Sequence, residues 1–144
     1  MGNAAFGFND AITSAIINST VIGITAFYNS PLLSTITLSN NLLSIGNSAF
    51  ITTGLTSITI PNTVTSLGTS SFEDTSLSSI VFDSVSQITD IPQECFKDSW
   101  ENTRTVTTLT LPEAVQTFGI QSFQQAGIQT LSIPNTTTTI GNEA

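Results

Sequence analysis

One short phrase recurs six times along this chain, and it constrains the fold more than any other feature. Its clearest copy runs Leu55-Thr56-Ser57-Ile58-Thr59-Ile60-Pro61 and continues through Val64 and Leu67-Gly68 to Ser71-Phe72. An apolar skeleton that returns at a fixed period is the signature of a solenoid. One unit cannot bury its apolar side alone; stacked units bury it against their neighbours.

The anchor is a Gly-x-x-[Ala/Ser]-Phe box, which ends at Phe6, Phe27, Phe50, Phe72 and Phe123 and, in altered form, at Phe96. The gaps between these aromatic positions are 21, 23, 22, 24 and 27 residues. After each box comes a polar turn, then an apolar-x-x-apolar-x-apolar phrase starting at Ile12, Leu33, Leu55, Leu77, Val106 and Ile128. Its last apolar positions alternate, as a strand with one buried face requires. Pro61, Pro112 and Pro134 directly follow three of these strands, where a residue without N–H ends a ladder. The pattern predicts a single solenoid domain over residues 1–144 with about six coils, uncapped at both ends. Coils should rise about 4.8 Å each, with Phe27, Phe50, Phe72, Phe96 and Phe123 in one internal stack. The small box residues suit a tight turn or a single 3₁₀ turn.

The phrase Leu-x-x-Ile-x-Ile-Pro-x-x-Val-x-x-Leu-Gly-x-x-Ser-Phe from Leu55 to Phe72 resembles the BspA-like class of leucine-rich repeats. The resemblance covers essentially the whole chain. It implies a right-handed solenoid with a parallel β-sheet on the concave side and short turns or 3₁₀ segments opposite. It also implies an extracellular or surface-associated role in adhesion, binding protein or glycan partners. The family often carries a cysteine shortly after the box; this chain has Ile51-Thr52-Thr53-Gly54 and Glu73-Asp74-Thr75-Ser76 there.

Composition narrows function by exclusion. Net charge is −8, yet only 8% of residues are charged, and Ser, Thr and Asn supply the polarity. Two basic residues give no footprint for nucleic acid or anionic lipid. No apolar run is long enough to insert in a membrane. The stretch from Met1 to Phe6 lacks the basic and apolar regions of a signal peptide. The chain has no histidine, hence no usual general base and no common metal ligand. No enzyme, cofactor or metal site is expected. The carboxylates Asp83, Asp90, Glu94, Asp98 and Glu101 follow no dedicated spacing for calcium or for glycoside hydrolysis and read as solvated loop charge. Cys95 replaces the small box residue and reads as a buried thiol.

Three features remain for binding. The concave face should display Ser14 and Ile16, Thr35 and Thr37, Ser57 and Thr59, Ser79 and Val81, Thr108 and Thr110, Thr130 and Ser132. Strand propensity explains threonine there equally well. A polar docking face is the functional reading, and matching of an ice lattice is a remote one that Ile16 and Val81 interrupt. The second feature is an insertion: nine residues separate Phe96 from Val106, where four separate Phe72 from Leu77. It carries Lys97, Trp100, Glu101 and Arg104, and ten of the twelve charges lie between Glu73 and Glu113. Insertions in repeats map to loops on one edge, and an exposed Trp with an Arg is interface composition. The alternative is a surface loop whose Trp folds back over its coil. The third feature is the open ends, where Phe6 and Ile12 at one end match Leu131, Ile133 and Ile140 at the other in repeat phase. Either the chain is a segment of a longer repeat protein, or copies stack head to tail into a filament. Asn18 and Asn135 open glycosylation sequons that matter only if a eukaryotic cell secretes the chain.

Overall fold

A computed structural model describes residues 1–83, 85–97 and 108–144. The strands are β1 (Ser14–Ile17), β2 (Val21–Ile22), β3 (Thr35–Leu38), β4 (Ser44–Ile45), β5 (Ser57–Ile60), β6 (Ser79–Phe82), β7 (Asp90–Ile91), β8 (Thr108–Thr110), β9 (Thr117–Phe118), β10 (Thr130–Ser132) and β11 (Thr139–Ile140). All pairings are parallel, and the described residues contain no helix. The six apolar phrases supply β1, β3, β5, β6, β8 and β10. Six strands one above another mark about five complete turns of a β-solenoid, the expected repeat architecture.

The concave-side ladder is segmented into three pairs: β1 with β3, β5 with β6, and β8 with β10. A proline stands just past the strand at both interruptions. Ser39 N–H donates to the Ile17 carbonyl at 3.0 Å, and Asp83 N–H donates to Ile60 at 3.0 Å. Register puts Pro61 and Pro112 in the same place one coil on, facing the carbonyls of Leu38 and Phe82. Proline has no N–H for this rung. The ladder is interrupted at both steps, β3 to β5 and β6 to β8. Pro134 falls at the same position after β10, and there the pairing survives at three residues rather than four.

A second parallel ladder precedes the boxes. It joins β2 to β4, with an isolated bridge from Ser44 to Ser66, and separately β7 to β9 to β11. Box glycines close its rungs: Gly46 N–H reaches the Ile22 carbonyl at 2.9 Å and Gly119 reaches Ile91 at 2.8 Å. Pro92 stands where a box glycine would be, without an N–H, and the ladder breaks at that coil.

The box forms the tight turn of the two expected alternatives, and its left-handed residue is not the glycine. The third box residue has positive φ in every copy: Ala4, Thr25, Ser48, Ser70, Glu94, Gln121 and Glu143, at 51° to 58°. A second left-handed residue follows four positions on at Phe8, Asn29, Thr52, Asp74 and Gln125. Each such residue costs on the order of 1–3 kcal/mol unless its surroundings fix it. Here the fixing comes from the next coil. Thr25, Phe27 and Asn29 donate N–H to the carbonyls of Asn47, Ala49 and Ile51 at 2.8–2.9 Å. Ser70, Phe72 and Asp74 do the same to Gln93, Cys95 and Lys97 at 2.8–3.0 Å. On this side every N–H of the ladder points to the following coil and every carbonyl to the preceding one.

Glycine is required at the box start by close approach instead. A Cβ on Gly68 would lie 2.4 Å from the carbonyl carbon of Gly46. The core follows the same columns. Phe6, Phe27, Phe50, Phe72, Phe96 and Phe123 stack with ring centroids 5.2–5.4 Å apart and planes within 16° of parallel. Leu33, Leu55 and Leu77 stack beside them, as do Leu42, Val64, Ile88 and Val115. Buried Thr53 and Thr75 satisfy their hydroxyls on the carbonyls of Phe50 and Phe72 at 2.9 Å.

Candidate functional site

The strands orient their in-between side chains outward because the intervening apolar ones are held by the core. In β5, Ile58 and Ile60 are buried while Ser57 and Thr59 are exposed. Ser14, Thr35, Thr37, Ser79, Thr110, Thr130 and Ser132 are exposed in the same manner. Thr108 pairs with Thr130 in the ladder. Ile16 and Val81 interrupt the hydroxyls and are 73% and 47% exposed. An ice-matching surface needs one flat lattice, whereas these hydroxyls sit on three separate strand pairs.

Glu73, Asp74, Glu94 and Lys97 gather on the box side. Lys97 follows the Phe96 box and its ammonium lies 3.2 Å from Glu94 and 3.6 Å from Glu73. Burial works against its charge, but the hydrogen bond to Glu94 and the two carboxylates outweigh it and raise its pKa. Lys97 is thus already paired within the chain. Trp100, Glu101, Arg104 and Asp98 lie outside the described residues. Asp90 projects from β7 and accepts hydrogen bonds from Thr117, on the next coil, and from Thr89. These two hydroxyls, the Thr117 bond foremost, hold its carboxyl below the usual range against slight burial. Glu94 accepts from Ser70 and Lys97, so the two carboxylates have separate partners. Among the described residues no group of three or more Cys, Asp or Glu side chains could hold a metal ion. Cys95 is fully buried, 3.3 Å from the Ser71 hydroxyl.

The end positions are placed as their register implies. Phe6, Leu131, Ile133 and Ile140 are 41–55% exposed, and Ile12 is half-buried. Asn18 and Asn135 are exposed. The second ladder and the left-handed box residues escaped the sequence reading. Two-residue strands are too short to show a period, and Thr, Ser, Glu and Gln give no signal for positive φ.

Comparison with known proteins agrees with this architecture. The BspA type leucine rich repeat region matches residues 20–144 in six copies. No curated protein matches the chain. Among solved structures, the chain resembles a leucine-rich cell surface protein of Faecalibacterium prausnitzii, at 20% identity and a TM-score of 0.62 over 97% of this chain and 44% of that one. It resembles the pneumococcal vaccine antigen PcpA at 21% identity and a TM-score of 0.58, over 94% and 42% of the two chains. A leucine-rich repeat protein of Bacteroides ovatus aligns at 22% identity and a TM-score of 0.52, over 92% and 45%. The chain spans less than half the length of each of these proteins. Repeat phrase, stacked boxes and family match converge: the chain belongs to the BspA-type leucine-rich repeat family.

Proposed function

We propose that the chain is a non-enzymatic interaction module, at a cell surface or outside the cell, that binds a protein or glycan partner. The observation that carries this reading is the outward row of Thr35, Thr37, Thr59, Thr110 and Thr130 on a rigid strand face. Such a face offers many hydroxyl donors and acceptors at no cost of ordering. The insertion with Trp100 and Arg104 supplies the aromatic and cationic anchors that the face lacks. Solved proteins of this fold named as a cell surface protein and a vaccine antigen support the location. The test is binding of the full chain to immobilised extracellular-matrix proteins and to a glycan array. Trp100→Ala/Arg104→Ala is expected to weaken binding roughly tenfold or more, as loss of a hot spot does. Unchanged affinity removes the insertion from the site. A catalytic turnover abolished by Asp90→Asn or Glu94→Gln overturns the non-enzymatic reading.

A second reading, assembly of copies head to tail into a filament, is favoured by the one-directional ladder on the box side. Among the described residues no backbone hydrogen bond engages the carbonyls of Asn3, Ala5 and Gly7 at one end or the N–H groups of Phe123 and Gln125 at the other. A further coil, of the same chain or of a second copy, satisfies both sets while covering Phe6, Leu131, Ile133 and Ile140. The contact joins unlike faces and therefore does not close. A straight stack of six coils gives a subunit rise of about 29 Å. Sedimentation at micromolar concentration tests it: polar fibres support it, and stable monomers dismiss it.

A further inference from the structure

We propose that the groove between β6 and β8 docks an extended segment of a partner protein that carries an apolar side chain beside a lysine or arginine. The inference rests on reading the chain as an interaction module and names a second contact surface with its own chemistry. The groove lies in the middle of the solenoid, away from both ends. It is a half-open depression of about 680 Å³ where the strand ladder is interrupted. That volume is in the range of cavities that seat a ligand of several side chains, about 300–1,000 Å³.

A proline that withholds one ladder rung lies in its lining. Pro112 brings no N–H to the carbonyl of Phe82, and β6 and β8 share no ladder. The chain beyond β6 also takes a longer path here, since Phe72 and Phe96 are 24 residues apart against 22 in the preceding coil. One wall is β6 and the turn through Val85 and Gln87; the other is Thr110 to Ala114. The floor is aliphatic and leaves apolar surface in water: Val81 is 47% and Val85 79% exposed. Covering such residues favours an apolar guest.

Charge selects what flanks the apolar group. Asp83 and Glu113 both line the groove and both are exposed, and no described cation lines it. The whole chain carries −8 with only two basic residues, so its field attracts cations to this rim. A peptide suits the groove better than a sugar, because Phe82 is half-buried and no described lining residue presents an exposed aromatic ring to a pyranose face.

The experiment uses the full chain, isotope-labelled, titrated with three capped peptides that place Lys-Leu-Lys, Lys-Ser-Lys or Glu-Leu-Glu between glycines. The Lys-Leu-Lys peptide alone is expected to shift the amide signals of Val81, Val85, Thr110 and Ala114. Asp83→Asn/Glu113→Gln should weaken it roughly tenfold, and salt at about 0.5 M should do the same by screening the rim. Binding that ignores both changes, shifts confined to Thr35, Thr37, Thr59 and Thr130 outside the groove, or no binding at all overturns the groove. The two readings fail separately. If no peptide enters the groove while Trp100→Ala/Arg104→Ala still loses matrix or glycan binding, only the groove falls. If the parent chain binds neither the peptides nor any matrix protein or glycan, the interaction module falls with it.

Discussion

At the scale of the residue, each box position answers a different physical demand. Glycine answers contact between stacked backbones, and the third residue accepts a left-handed conformation that cross-coil hydrogen bonds enforce. The fourth fills a slot that holds Ala26, Ala49, Ser71, Cys95 and Ser122 in successive coils, all buried. Cys95 is the reactive exception in chemistry but not in behaviour. Burial pushes its thiol up to about 12 from an ordinary 9.0, although the Ser71 hydroxyl acts the other way. A thiol whose pKa is raised by folding favours the folded chain while both states remain protonated. That contribution is fully present below about 9 and is lost as the pH climbs toward about 12, because only the unfolded chain ionises in that window. Chemical denaturation across this range should therefore show stability falling with pH, with a shallower fall in Cys95→Ala, a residue that the same slot accepts at Ala26 and Ala49. Iodoacetamide near neutral pH should leave the folded thiol unmodified and label it only after unfolding.

At the scale of the element, three short sides make each coil, and they are held differently. On the strand side Pro61 and Pro112 withhold N–H groups, and the ladder is interrupted at both steps. The box side carries an unbroken run of coil-to-coil bonds from Ala4 to Gln121. At Gly68 the stacked box starts leave no volume for a side chain. Gly68→Ala would drive a Cβ to 2.4 Å from both the Gly46 carbonyl carbon and the Asn47 nitrogen. These are backbone atoms and cannot swing aside, so the coils must separate. The expected loss is about 1–3 kcal/mol or more, read from urea denaturation. An equal midpoint for Gly68→Ala and the parent chain would show that the stack yields without strain.

At the scale of the whole molecule, coils touch only their neighbours, and stability is a sum of units and the interfaces between them. The Phe stack is the longest continuous thread through that sum. Phe72 is fully buried between Phe50 and Phe96, with centroids at 5.2 and 5.3 Å. Phe72→Ala should cost about 3–5 kcal/mol as a core cavity. It should also broaden the denaturation curve, because a weakened central interface lets the two halves unfold less cooperatively. Phe6 has one stacking neighbour and is 43% exposed, so Phe6→Ala should cost clearly less and leave the transition sharp.

The repeat period, the phase of the apolar positions and the exposed rows were legible in the sequence, because stacking turns a linear period directly into columns. Phe50 lies under Phe72, and Thr59 faces out, for reasons that one coil already contains. The site was legible in part: the threonine rows are where alternation puts them, while Trp100 and Arg104 lie outside the described residues. Neighbouring coils decided the rest. Lys97 pairs with Glu73 of the previous coil, Ser70 and Gln121 hold left-handed backbones against the next one, and Pro112 lines one groove with Phe82 of the previous coil. Each of these depends on which residue lies one coil away in space, at a distance that varies from 21 to 27 positions along the chain.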